Sequence, residues 1–173
     1  MPGGTSFLIV DGHDKQESGE GLLVEHIARQ SFDHVVRLPF FPRSQRNWTV
    51  VWFTGHTTIY KSAQIASLEK RESSAYWRLI TAHDLTKLKT QLLVLATCFS
   101  ASSFYPNKYA AEQVISYPDK LLIDDSLVFA ARFMPPLTRN VRRGRLRFIR
   151  RIFNTARASS NAKWQMNSGK GRR

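Results

Sequence analysis

Three short apolar runs constrain this chain most: Ser6–Val10 (SFLIV), Trp48–Phe53 (WTVVWF) and Leu92–Ala96 (LLVLA). Each is too short for a core helix and lacks the polar alternation of a strand that shows one face to water. Such runs read as strands buried on both faces, the place strands take inside a parallel sheet covered by helices. Between the first two, Leu22–Gln30 (LLVEHIARQ) sets Leu22, Leu23, Ile27 and Ala28 near helical spacing, and Asp33–Phe40 (DHVVRLPF) reads as a further strand. The order strand, helix, strand, strand predicts a βαβ unit with a right-handed crossover. The expected fold is a three-layer α/β sandwich, a mostly parallel sheet with helices on both faces.

Two of these runs end in residues that carry chemistry. The second runs into Thr54-Gly55-His56-Thr57, the third into Thr97-Cys98-Phe99-Ser100-Ala101-Ser102-Ser103. In open α/β sheets the carboxyl ends of the strands hold the ligand and the reacting groups. Cys98 is the only cysteine, so it has no disulfide partner within the chain, and one thiolate does not make a tetrahedral zinc site. No metal or cofactor is expected. Cys98 is then either a small apolar filler at a strand end or a nucleophile, and a nucleophilic cysteine needs a base beside it. If the two strands are parallel neighbours, His56 faces Cys98 across one edge. Asp11-Gly12-His13-Asp14 follows the first strand onto the same edge, where a solvated loop competes with a substrate-binding role. His26, His34 and His83 read as surface or packing residues.

The rest of the chain gives weaker signals. Thr57–Ser74 fits a β-hairpin or a short helix, Tyr76–Ile80 a short strand, and Thr81–Lys89 and Tyr109–Glu112 helices. Val114–Tyr117 reads as the last strand, closed by Pro118-Asp119. Asp124 or Asp125 is expected to cap a helix over Ser126–Met134 that Pro135-Pro136 ends. Asn140–Ala158 is expected to be one basic amphipathic helix with Val141, Leu146, Ile149, Ile152 and Phe153 along its apolar stripe. Residues 1–158 then form the domain, and 159–173, with Trp164 the only large apolar group, a basic flexible tail.

Composition supports a folded chain, with 42% hydrophobic and 12% aromatic residues. The net charge of +13 is local: Arg139–Arg173 holds twelve of the 26 Lys and Arg residues and no acidic one. This leaves fourteen basic against thirteen acidic residues before it, a net of +1. Such a segment suits weak binding to nucleic acid or an anionic membrane surface, against the simpler reading of a helix kept solvated by its arginines. No apolar run reaches the ~18 residues of a membrane span. Met-Pro-Gly-Gly-Thr-Ser lacks the regions of a signal peptide, and with a single cysteine the expected setting is the reducing cytoplasm.

The two strand ends together resemble the caspase-like cysteine peptidases, most closely the CHAT branch related to separase. That family's markers are a strand ending in an apolar-x-Gly-His-Gly turn and a later strand reading roughly L-V-V-L-x-A-C-x-S. Here they stand as Trp52-Phe53-Thr54-Gly55-His56-Thr57 and Leu92-Leu93-Val94-Leu95-Ala96-Thr97-Cys98-Phe99-Ser100. Ile80–Leu88 and Val114–Pro118 with Asp125–Phe133 are similar to other family segments, so the likeness spans most of Ser6–Ala158. Two positions depart from it: Thr57 where the family usually has Gly, and Thr97 where relatives often have Ala.

The resemblance implies a cysteine endopeptidase that cleaves protein substrates through an acyl-enzyme, with a His56–Cys98 dyad. The backbone N–H groups of Thr57 and Cys98 would hold the oxyanion. Asp11, His13, Asp14 and Asp119 are candidates for the substrate pocket. Acidic groups there would favour Arg or Lys at the cleavage position, whereas Arg43 or Arg46 would favour Asp. The expected partners are a protein or peptide substrate and a regulatory protein. Two other readings compete: a catalytically inactive caspase-like interaction module, favoured by Thr57, and a basic nucleic-acid-binding protein.

Overall fold

The computed structural model describes residues 4–12, 19–39, 47–60, 62–71, 74–80, 85, 88–98, 100–103, 111–142, 145–160 and 163–168; for 56–60, 62–71, 74–80, 102–103 and 142 it describes the backbone alone. The first four elements are β1 (Ser6–Asp11), α1 (Gly19–Ala28), β2 (His34–Leu38) and β3 (Trp48–Thr54). β4 (His56–Tyr60), β5 (Ser62–Arg71) and β6 (Ser74–Ile80) follow, then β7 (Thr90–Ala96), α2 (Ser100–Ser103) and β8 (Gln113–Ser116). The chain closes with α3 (Ile123–Arg139), β9 (Val141–Arg142), β10 (Arg145–Leu146), α4 (Ile149–Ala158) and β11 (Gln165–Ser168).

Six strands form the main sheet in the order β11-β8-β7-β3-β1-β2. The five from β2 to β8 are parallel and β11 runs antiparallel at the edge. All seven residues of β3 are buried, which is why its sequence shows no polar alternation. Successive residues serve opposite faces. Phe7, Ile9, Trp52 and Val94 meet Val24 and Ile27 of α1, Phe129 and Phe133 of α3, and Ile152 and Phe153 of α4. Leu8, Val10, Val51, Phe53, Leu93 and Leu95 meet Leu85, Leu88 and Ala111 on the other side, with Leu85 in helical conformation. The molecule is therefore an α/β sandwich around a mostly parallel sheet, as the three apolar runs require. β1 lies between β2 and β3, so the strand order reverses there.

The structure resolves one open alternative and departs from the sequence-based expectations in four other places. Thr57–Ser74 takes the hairpin alternative: β4, β5 and β6 form a separate three-stranded antiparallel sheet. Ala111 and Glu112 form a bend, not a helix, while 81–84 and 109–110 lie outside the described residues. α3 begins earlier and continues through Pro135 and Pro136 to Arg139. Its N-cap, Leu122, has no side-chain cap, and Asp124 and Asp125 lie in the first turn, where a carboxylate meets the positive end of the dipole. The two prolines leave the carbonyls of Ala131 and Arg132 without helical donors, but both residues are exposed, while buried Phe133, Met134 and Leu137 hold the helix to the sheet.

The other two departures lie at the C-terminal end. The helix expected over Asn140–Ala158 is a β9–β10 hairpin followed by the shorter α4. Phe148 at the N-cap has φ 58°, a left-handed backbone that stops the helix from extending upstream. The apolar stripe survives this change, with Val141 and Leu146 packed against the same core as Ile149, Ile152 and Phe153. The flexible tail expected over 159–173 gives way within 163–168 to an edge strand. β11 pairs with β8, and Trp164 is fully buried, stacked on Phe129 at 4.2 Å between ring centroids. Trp164, with Met166 packed partly buried on the same core, docks the segment onto the sheet. Among the described residues no helix is long and apolar enough to cross a membrane.

Candidate active site

β3 and β7 are adjacent and parallel, and their register pairs Thr54 with Ala96. His56 and Cys98 each follow two residues later, so both stand at the same carboxyl edge of neighbouring strands. At Gly55 the chain leaves the main sheet, and His56 opens β4 opposite Ala66 of β5. The junction is crowded. A Cβ on Gly55 would lie 3.1 Å from Phe53 Cε1 and 3.5 Å from the Gly12 backbone. Gly12 N–H donates to Thr54 O at 2.8 Å, extending the β1–β3 ladder to this point. His56 is thus set two residues past β3, all of whose residues are buried, beside the place where the strand order reverses and α/β sheets form their ligand crevice.

Cys98 sits in the turn that follows β7 and is half-buried. Its sulfur accepts a hydrogen bond from Leu121 N–H at 3.3 Å and lies 3.7 Å from Leu121 O. The turn is clamped two residues further on. Ser100 is fully buried; its hydroxyl donates to Leu95 O at 2.9 Å and accepts from Tyr117 N–H at 2.8 Å, and Ala101 N–H donates to Tyr117 O at 2.9 Å. These contacts tie the cysteine turn to the ends of β7 and β8 together. Beside it, the Thr97 hydroxyl is buried and has no hydrogen-bond partner among the described residues.

Glu20, buried in the first turn of α1, fixes the histidine strand from below. Its carboxylate accepts from Trp52 Nε1–H at 2.8 Å, from the Thr54 hydroxyl at 3.0 Å and from the Ser126 hydroxyl at 2.7 Å. One carboxylate thus joins α1, α3 and the last turn-proximal residue of β3. Neither Glu20 nor Ser100 stood out in the sequence. Glu20 falls on a stretch with only a loose helical pattern, and Ser100 is one of several serines after Cys98.

The remaining candidates are placed as follows. Asp11 pairs with Thr54 across β1 and β3, so it shares the edge. It is buried, and its carboxylate meets the Arg37 guanidinium at 3.0 Å; Arg37 in turn holds Glu25 at 2.9 Å. Thr57 lies in β4 opposite Ile65. Asp119 stands beyond β8, half-exposed, with Lys163 Nζ at 2.9 Å. The Lys163 hydrogen bond, aided by Lys120 N–H, holds the Asp119 carboxyl below its ordinary value, and Asp119 raises Lys163 in return. His13, Asp14, Arg43 and Arg46 lie outside the described residues. Among the described residues, no three His, Cys, Asp or Glu side chains converge as metal ligands. Compared with models of known protein families and with curated protein sequences, the chain matches none.

Proposed function

We propose that the chain is a cysteine peptidase with a His56–Cys98 dyad acting on protein or peptide substrates. The observation that carries this reading is the β3–β7 register, which ends two adjacent parallel strands level with each other and sets His56 and Cys98 two residues beyond. A nucleophile and a base that follow two rigid, adjacent, buried strands by two residues each meet the positional demand of covalent catalysis, because the β3–β7 ladder fixes the points from which both depart.

In this reaction the Cys98 thiolate adds to the carbonyl carbon, the C–N bond breaks, and His56 gives its proton to the leaving amine. Water, deprotonated by His56, then cleaves the thioester and releases the acid and the free thiol. Backbone N–H groups at Cys98 and Thr57 hold the oxyanion, where losing one donor typically costs about 2.7–4 kcal/mol of transition-state stabilisation. With Asp11 already engaged by Arg37, selection at the cleavage position falls to the other groups along this edge.

The test is hydrolysis of a random-sequence peptide library by the full chain, read by mass spectrometry beside Cys98→Ser and His56→Ala. Cleavage is expected in the native chain and lost in both variants. Cleavage that survives Cys98→Ser, or none by a folded native chain, would overturn the peptidase reading; the second result would leave the edge to a binding role.

A further inference from the structure

The hairpin and helix that close the chain carry a charge arrangement the proposed reaction does not use. α4 buries Ile149, Ile152, Phe153 and Ala156 and turns Arg150, Arg151 and Arg157 to solvent. Arg145 and Arg147 are exposed just before it. None of these five guanidinium groups has an ion-pair or hydrogen-bond partner among the described residues, in contrast to Arg29 and Arg37, which both pair with Glu25. From Arg139 to Arg173 the sequence offers no carboxylate that could neutralise them. Five arginines within thirteen residues, with no counter-charge among the described residues, repel one another, and an external polyanion relieves that repulsion.

Phe148 stands among them. It is 64% exposed, the most exposed of the large apolar residues among the described ones, and holds a left-handed backbone at φ 58° that a bulky side chain rarely adopts. A strained residue whose ring buries little in its own chain is a candidate ligand contact. The platform beneath is firm. Leu146 N–H donates to the Gln91 side chain at the start of β7 at 3.0 Å, and Arg147 N–H donates to Asn140 O at 3.2 Å. Gln91 lies near the amino end of β7, so the patch is at the edge of the sheet opposite His56 and Cys98.

From this surface we infer that Arg145, Arg147, Phe148, Arg150, Arg151 and Arg157 bind single-stranded nucleic acid. The guanidinium groups take backbone phosphates, for which their planar fork is better suited than an ammonium, and the Phe148 ring stacks on a base without reading its identity. A membrane fits less well: an interfacial helix inserts its apolar face, and here that face is already packed on the sheet.

The experiment is fluorescence anisotropy of the full chain with a labelled twenty-nucleotide oligothymidylate across a salt series. The same measurement is made with a duplex of equal length, and sedimentation is followed with phosphatidylserine vesicles. Native chain is expected to bind the single strand more tightly than the duplex. Arg150→Gln with Arg151→Gln should flatten the slope of log affinity against log salt by about 1.4, two phosphate contacts at about 0.7 each. Phe148→Gly suits the left-handed backbone, so it should keep the fold and weaken binding about 5- to 100-fold. An affinity untouched by Phe148→Gly, a duplex bound as tightly as the strand, or vesicle binding without oligonucleotide binding would each overturn the assignment.

Discussion

Replacing Trp164 with alanine probes the end of the chain that the structure folds and the sequence does not announce. The ring is fully buried, stacked on Phe129 and edge-on to Tyr117 at 5.2 Å between centroids. Burying a side chain of this size removes about 200 Å² from water, worth about 5 kcal/mol at about 25 cal/mol per Å². Against this, Trp164 Nε1–H is buried without an acceptor among the described residues, and an orphaned donor costs about 1–3 kcal/mol that the substitution recovers. The net destabilisation is about 2–4 kcal/mol, overlapping the range of large-to-small aromatic changes in cores. For a domain of this size that lowers Tm by about 4–16 °C. Trp164→Phe keeps most of the ring and drops the orphan N–H, so its cost should stay below about 1.5 kcal/mol. Urea unfolding followed by far-ultraviolet circular dichroism measures both. An alanine variant within about 0.5 kcal/mol of the native chain would refute the docking of β11. A phenylalanine variant as damaged as the alanine one would show that the indole N–H is engaged.

Glu20→Ala should cost about 3–5 kcal/mol, because Trp52, Thr54 and Ser126 lose a shared acceptor in a buried place. Glu20→Gln should cost less, since both hydroxyls can turn to accept from the amide while Trp52 still donates to its oxygen; thermal unfolding of the two variants checks the order. The Asp119–Lys163 pair makes a pH-dependent contribution. Asp119 is depressed below its ordinary 3.8, so the contribution is present above that value and fades as pH falls through it. Lys163 is raised above its ordinary 10.5, so the same contribution is present below that value and fades as pH rises past it. Asp119→Asn should therefore lower the unfolding midpoint at pH 7 and leave it unchanged at pH 2.

The parallel core was legible because burial on both faces erases polar alternation, and four or five apolar residues in a row admit few other structures. The same logic brought His56 and Cys98 to one edge, since residues that follow adjacent parallel strands share it. Four features were hidden for separate reasons. Pro135-Pro136 reads as a stop, yet solvent can serve the carbonyls it orphans while Phe133 and Leu137 hold the helix on the core. The Val141 and Leu146 stripe has helical spacing, but a hairpin puts the same two side chains on the same core. Trp164 is one of two large hydrophobes, with Met166, in a polar stretch, and the finished aromatic layer of Tyr117 and Phe129 explains its burial. Glu20 belongs to the same group: a carboxylate in a helix's first turn is ordinarily solvated, and three neutral donors from β3 and α3 decide otherwise.

The measurement closest to the central claim is the rate at which a thiol-directed acylating probe labels Cys98 at neutral pH, in the native chain, His56→Ala and Cys98→Ala. The dyad predicts fast labelling in the native chain, at least tenfold slower labelling in His56→Ala, and none in Cys98→Ala. Labelling that proceeds at one rate with or without His56 would contradict it and leave Cys98 an ordinary thiol at the end of a strand.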